Sequence, residues 1–480
     1  MSQPLVEVTT KPFDALFSDA KFPIAIDSYQ RPYVWGRQKL EQLIEDLKEF
    51  YKPDTQDLKY YMGSILLHEN QDDGKLYIID GQQRLTSLCV LHQVIHGHLP
   101  DNQELSYHSP KSVNNISNAY QYFLEELNYN SFDTLFEDII FTVIKVDSQD
   151  LAFTFFDTQN NRGVPLEATD LLKAYHLRAI DGNEERIHLQ KICAKRWEGI
   201  QGQEKILGSS YDFAPVLFHQ FLWRARNWKG KVIKHEKFDD ILDEFQKASI
   251  KEESNNTITL YATQSNKWGS QLTLLPEDDY SIRPDTVRLS YFAADLPFAI
   301  RQPISRGVGF FLYAQKYADL VQRLLDEDIS DIEIQRYREL YQRIYLNISI
   351  YLRELFLLAS AMFVDQFGTY RLYEFALWLD YVLGAIRIEK SYIFRQAPIV
   401  FLRDKKRNLL DVIAGSFRAE EVIDYLKKDL KAKEIYETVE ITDEGVQKRY
   451  ISSVLSYFGK EESQETTLSG REHWIEERLV

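Results

Sequence analysis

The stretch Leu76-Tyr-Ile-Ile-Asp-Gly-Gln-Gln-Arg-Leu-Thr-Ser-Leu88 most limits what this chain can become. Leu76 to Ile79 is short and mostly apolar, which reads as a buried strand. Asp80-Gly81 turns the chain, and Leu85, Leu88, Leu91 and Ile95 then recur at helical spacing. A strand-turn-helix of this kind aims the first helical N–H groups, and the positive end of the helix dipole, at whatever lies above the turn. Asp80, Gly81, Gln82, Gln83 and Arg84 fill that position with almost nothing apolar among them. Arg84 adds a fork of donors suited to phosphate oxygens. Spacing alone leaves two readings open: an anion or nucleotide site, or a buried polar turn in which Asp80 caps the helix and pairs with Arg84.

Around this turn the first part of the chain alternates strand and helix signals. Phe22 to Ile26 reads as a short strand feeding Tyr29-Gln-Arg-Pro-Tyr-Val-Trp35. After Gly36 an amphipathic helix carries Leu40, Leu43, Ile44, Leu47 and Phe50 on one stripe. Tyr60 to Leu67 is a strand interrupted by Gly63-Ser64, Asn102 to Ser112 a polar loop, Val113 to Leu127 a helix and Ile139 to Val146 a strand. Asp157 to Leu166 forms a second polar turn. A helix from about Thr169 to Ile180 follows, capped by Thr169 or Asp170. Beyond Asp181 strand signals thin out and aromatic-rich helices take over, as in Tyr337, Leu340, Tyr341, Ile344 and Ile348. Their aromatic rings read as helix-packing core rather than a platform for bases. Lys251 to Asn256 and Pro276 to Pro284 read as surface loops, and Lys460 to Val480 as a polar end that frays.

With 480 residues the chain exceeds one ordinary core, and 44% hydrophobic with 27% charged residues describes a globular protein. The longest uncharged apolar run, Leu355 to Val364, is about half a membrane span, and Met1 to Thr10 lacks a secretory pattern. Cys89 and Cys193 fit no metal spacing, so a reducing cytoplasm is expected. A formal net charge of −16 argues against broad nucleic-acid binding but leaves room for a local basic groove. One such run is Arg387, Lys390, Arg395, Arg403, Lys405, Lys406 and Arg407, opposed only by Glu389 and Asp404. It reads either as a solvated helix face or as a phosphate-contacting strip.

Three polar clusters stand at element boundaries: Gln30-Arg31 with Tyr33 and Trp35, Asp80 to Arg84, and Asn160 to Gly163. Each pairs an arginine (Arg31, Arg84, Arg162) with a carboxamide, a combination that can converge on one phosphate pocket. Asp80 can hold a hydrated Mg²⁺ or orient water. Tyr33 and Trp35 can stack on a base or belong to the core. His92, His96 and His98 lack a zinc-type partner set and read as a solvated helix end. No GxxxxGK[ST] or GxGxxG occurs, which disfavours the common phosphate-loop folds.

Tyr29-Gln-Arg-Pro-Tyr-Val-Trp35, Gly63-Ser-Ile65, Asp80-Gly-Gln-Gln-Arg-Leu-Thr86 and Phe156 through Asn160-Asn-Arg-Gly163 to Asp170-Leu-Leu-Lys173 stand in one order and spacing. Together, over roughly residues 10 to 180, they resemble the N-terminal domain of GmrSD-type, modification-dependent restriction systems, a ParB/sulfiredoxin-like domain. The resemblance implies an α+β domain over 1–180 that binds and hydrolyses a nucleoside triphosphate with Mg²⁺, and the helical patterns beyond Asp181 add an all-α domain over 181–480. It implies catalytic roles for Asp80, Gln82, Gln83 and Arg84. It also implies a nucleotide pocket drawing on Gln30, Arg31, Tyr33, Gly63, Ser64, Gly81, Thr86, Asn160, Arg162 and Gly163. Such systems couple the NTPase to sensing of modified phage DNA and to control of a nuclease. Family members often end in an HNH nuclease, whereas after His235 this chain has only His473. Cleavage is therefore expected from a separate nuclease subunit, with self-association left open. A non-catalytic nucleotide clamp or a scaffold is the competing expectation.

Overall fold

A computed structural model describes residues 6–27, 30–50, 59–126, 135–148, 151, 167–180, 184–203, 212–252, 254, 257–261, 271–274, 280–283, 293–438, 445–460 and 468–479. The chain forms two compact units, residues 1–177 with 182–202, and residues 178–181 with 203–480. The architecture is α+β: a mixed sheet with helices, then a large helical unit.

The first unit is built on a six-stranded sheet of order β1-β6-β3-β4-β2-β5. Its strands are β1 (Val6–Pro12), β2 (Ile24–Ile26), β3 (Tyr60–Asn70), β4 (Lys75–Asp80), β5 (Gln103–Glu104) and β6 (Ile139–Val146). β2 runs parallel to both β4 and β5, and β3 runs antiparallel to β4. The helices are α1 (Phe13–Ser18), α2 (Arg37–Phe50), α3 (Gln82–His96), α4 (Pro110–Glu126), α5 (Leu135–Asp138), α6 (Ala168–Arg178) and α7 (Glu184–Gln201).

Alternation along the strands sorts side chains between two faces. Ile24, Leu76, Ile78, Ile65, Leu67 and Phe141 pack with Leu40, Leu43, Ile44 and Leu47 of α2 and with Leu85, Leu88 and Leu91 of α3 in one core. Burying such a helix stripe contributes roughly 1.5–3 kcal/mol per large apolar side chain. The opposite face carries the cross-strand row Glu104–Ala25–Tyr77–His68–Val146. Two elements have weak local signatures. β1 is an edge strand with exposed Val6 and Val8, and the two-residue β5 interrupts the expected loop at Asn102 to Ser112. At the start of α6, the Asp170 carboxylate accepts from the Glu167 N–H at 3.1 Å.

In the second unit, labelled from α8 (Val308–Leu325) through α9 (Ile332–Ile344), α10 (Ile350–Phe367) and α11 (Leu372–Glu389), apolar side chains are buried along nearly every turn. The α9 stripe predicted from Tyr337 to Ile348 is core, with the Tyr337 and Phe356 rings stacked at 5.6 Å. Leu355 to Phe363 is likewise interior. No helix among the described residues is long and apolar enough to cross a membrane. Two expectations need correction. A hairpin, β7 (Gln271–Leu274) with β8 (Tyr280–Arg283), interrupts the helical unit, and β8 falls within the loop expected at Pro276 to Pro284. The C-terminal stretch also does not simply fray, because Arg471 to Leu479 is helical with Arg471, Trp474 and Ile475 buried.

Candidate functional site

Two glycines shape the central turn. Gly81 lies at φ 95°, a left-handed conformation, and a Cβ there would overlap the Ile65 side chain. Gly63 lies at φ 108° beside a register shift in β3, and a Cβ there would overlap Arg84 Nη1. Arg84 drapes over that glycine, donating to the Met62 carbonyl at 3.0 Å and the Ser64 carbonyl at 2.6 Å. Its Nη2 also lies 3.5 Å from Asp80 Oδ2.

The two carboxamides act as staples. Gln82 Nε2 donates to the Arg31 carbonyl at 2.9 Å. Gln83 Nε2 donates to the Pro32 carbonyl at 3.1 Å while its Oε1 accepts from the Val34 N–H at 2.7 Å. Both side chains are buried. Gln30 returns the contact, donating to the Ile79 carbonyl at 3.1 Å. Four side chains predicted to touch a ligand therefore bond backbone: Gln30, Gln82 and Gln83 fasten residues 30–34 to the β4–α3 turn, and Arg84 ties that turn to β3. Of the two readings open from spacing, the Asp80–Arg84 pair and the buried polar turn fit this geometry. The helix entry itself is capped by no side chain.

Other predicted positions divide similarly. Tyr33 is fully buried, its hydroxyl 2.7 Å from Ser87 Oγ, so it belongs to the core and is unavailable for stacking on a base. Trp35 packs half-buried against the same core. Thr86 donates to the Gln82 carbonyl at 2.8 Å and meets the Tyr107 hydroxyl inside the unit. Ser64 contributes its backbone carbonyl to Arg84. Asn160, Arg162 and Gly163 lie outside the described residues.

Arg31 is placed differently. Burial lowers the pKa of its guanidinium, against the opposing pull of Asp170 and Asp80. It opens onto a cleft of about 1940 Å³ over the second sheet face. Ala25, Tyr77 and His68 form part of its floor, Asp27, Gln30 and Arg31 stand beyond the end of β2, and Leu105 to Ser109 beyond β5. The C-terminal ends of parallel strands are where open α/β sheets commonly receive ligands. Across from the sheet, α7 contributes Arg186, Gln190, Lys191 and Lys195, and α6 contributes the buried Lys173. Lys191 and Lys195 stand one helical turn apart, a spacing that puts both on one face and marks this wall in the sequence. The hairpin end of the cleft is acidic, with Glu69, Asp72, Asp73 and Asp147.

The basic run of the second unit does not form one strip. Arg387 is 2% exposed and donates to the Lys390 and Ser391 carbonyls, so it is a structural residue rather than a DNA contact. Arg395 lies 3.6 Å from Glu236, Arg403 is 3.0 Å from Asp404, and Lys405 pairs with Asp429. Lys390 is half-buried, while Lys406 and Arg407 are exposed. His92, expected at a solvated helix end, is instead 7% exposed and packs against Phe13 and Phe136. No group of three or more potential metal-ligating side chains is present among the described residues.

Residues 189–441 match the model of a family of unknown function, DUF7834, over more than half of the chain. The chain belongs to that family. Residues 13–177, which hold the sheet and the stapled turn, match the N-terminal domain of GmrSD restriction endonuclease. This DUF7834 member is thus related to restriction-system proteins. No curated protein matches it.

Proposed function

We propose that the chain is an NTP-binding and hydrolysing sensor subunit of a bacterial anti-phage, modification-dependent restriction system, acting in the cytoplasm. The observation that carries this reading is the cleft lined by Arg31 together with Lys173, Arg186, Lys191 and Lys195 of its helical wall, with Asp170 and Asp80 near enough to act on the Arg31 charge. Arginine and lysine placed around the ends of parallel strands suit a triphosphate. The Asp80-Gly-Gln-Gln-Arg84 motif serves this indirectly, holding residues 30–34 so that Arg31 meets the phosphates.

Mg²⁺ is commonly held by one or two carboxylates together with substrate phosphates and water. Asp80, whose side chain is 43% exposed, fits that one-carboxylate mode. The bound ion would neutralise charge on the phosphate chain. Lys406 and Arg407 are the exposed cations assigned to DNA, and strand cleavage is assigned to a separate nuclease subunit.

A second reading is a non-catalytic nucleotide clamp. It is favoured by the engagement of Gln82, Gln83 and Arg84 with backbone, which leaves fewer groups to act on a γ-phosphate. Phosphate release from ATP, GTP, CTP and UTP with Mg²⁺, with and without modified phage DNA, separates the two. Turnover that responds to DNA and is abolished in Arg31→Ala supports the sensor. Saturable binding without turnover supports the clamp, and absence of both overturns the nucleotide reading.

A further inference from the structure

His68 stands directly across from Tyr77 in the β3–β4 pair, on the floor of the cleft. Its side chain is 5% exposed, yet Nδ1 is buried without a hydrogen-bond partner. Leaving such a group unpaired is unfavourable, so a ligand that bonds it removes an existing penalty. Beside it the Tyr77 hydroxyl donates to Asp73 Oδ2 at 2.8 Å, and Asn70 Nδ2 reaches the same oxygen at 3.2 Å. The Asn70 Oδ1 accepts from the Asp72 and Asp73 N–H groups at 3.0 Å each, which fixes the hairpin carrying the carboxylate. Next along the row, Ala25 leaves the floor low between Tyr77 and Glu104.

This end of the cleft disfavours phosphate, since Asp147 and Asp73 act on the imidazole and Asp72 lines the same end, while Glu69 is paired with Lys145 at 3.0 Å. It instead offers acceptors for N–H and amino groups, plus a ring nitrogen whose role is set by its tautomer. Burial lowers the His68 pKa, with Asp147 and Asp73 opposing, which keeps the ring neutral and able to both donate and accept. Tyr77 and Asp80 lie three steps apart along β4, about 10 Å at strand rise. Phosphates at Arg31 would therefore leave the nucleoside end of the same molecule over His68.

We infer that the His68–Tyr77–Asp73 end of the cleft is a nucleobase-recognition subsite that reads the donor-rich edge of an amino-bearing base. This rests on the nucleotide reading above and adds a base preference to it: GTP, ATP or CTP over UTP. Specificity by such groups is strong because the wrong base leaves buried polar atoms unpaired.

The test is calorimetric binding of the four nucleoside triphosphates and of inorganic tripolyphosphate to the full chain, to His68→Ala and to His68→Gln. The wild-type chain is expected to bind an amino-bearing nucleotide about tenfold more tightly than tripolyphosphate, equivalent to about 1.4 kcal/mol. In His68→Ala that advantage disappears while tripolyphosphate affinity stays unchanged, which also reports an intact fold. His68→Gln, retaining a polar side chain, recovers part of it. A wild-type chain that binds tripolyphosphate as tightly as every nucleotide, or His68 variants that keep the full advantage, would overturn the subsite while leaving the phosphate site standing. Absence of binding by nucleotides and tripolyphosphate alike removes the nucleotide reading and the subsite with it.

Discussion

The Arg84 guanidinium occupies the space that a side chain at position 63 would need, bonded to the carbonyls on either side of Gly63. Two separate sequence motifs therefore exist as one packed object. We predict that Gly63→Ala destabilises the chain by about 1–3 kcal/mol through its positive φ, with a further cost from displacing the arginine. In an Arg84→Ala background the displacement cost vanishes, giving a coupling of roughly 0.5–3 kcal/mol in a double-mutant cycle. Urea denaturation reads both numbers, and strictly additive costs would show that the two residues do not compete for space.

Gln83 gives a complementary prediction. Gln83→Ala leaves the Pro32 carbonyl and the Val34 N–H without their partner. The expected loss is about 2–6 kcal/mol, from two groups at roughly 1–3 kcal/mol each. Nucleotide affinity should weaken only in proportion to the loosening of residues 30–34. A variant as stable as wild type that no longer binds nucleotide would return Gln83 to the ligand-contacting set.

How much of this was legible in the sequence follows from which forces act locally. The β4–α3 turn, the α2 stripe and β6 are set by period and by glycine, and they stand where hydrophobic patterning puts them. β5 has only two residues, and β1 is an exposed edge, so neither has a pattern to read. Arginine and glutamine at a turn suggest a ligand, yet here their partners are backbone groups of segments distant in sequence, β3 for Arg84 and residues 31–34 for the glutamines. Nothing in spacing distinguishes a phosphate oxygen from a backbone one. His68 and Tyr77 lie on the second face of strands whose first face is core, yet Ile65 to Leu67 and Leu76 to Ile79 are near-continuous apolar runs without a clean alternation to mark them, and the bonding deficit at Nδ1 does not appear until the strands pair.

The pH dependence of stability has a definite sign. Burial lowers the pKa values of His68 and His92 below the ordinary histidine value of 6.5. The unfolded chain therefore binds more protons as pH falls through and below 6.5, and stability present above that pH is lost. Asp14, raised by burial above 3.8, acts with the opposite sign in the more acidic window above 3.8. Thermal melts from about pH 8 to about pH 5 should show a plateau and then a decline. Replacing both His68 and His92 with Gln should flatten the decline, and an unchanged slope would assign it to other groups.

In the second unit Arg471 and Asp380 form an ion pair with both side chains 1% exposed. Tyr436 and Tyr450 also meet the guanidinium. Gly384 leaves the room, since a Cβ there would overlap the Tyr450 hydroxyl. Arg471→Leu strands a buried carboxyl and should cost about 3–5 kcal/mol. The double variant Arg471→Leu/Asp380→Leu should recover much of that loss, because a paired apolar replacement leaves no orphaned charge. Denaturant titration checks this, and a double variant no better than the single would show that the tyrosine contacts dominate.

The last prediction concerns DNA. Arg387 is fixed to backbone carbonyls and most neighbouring cations have carboxylate partners, which leaves Lys406 and Arg407 as the exposed pair of the run. Two phosphate contacts make log affinity fall with log salt by about 0.9 each on duplex DNA. The variant Lys406→Glu/Arg407→Glu should therefore weaken DNA binding at low salt and reduce the salt slope by about 2. Arg387→Gln should instead lower stability. A double variant with an unaltered slope would take DNA recognition away from this surface.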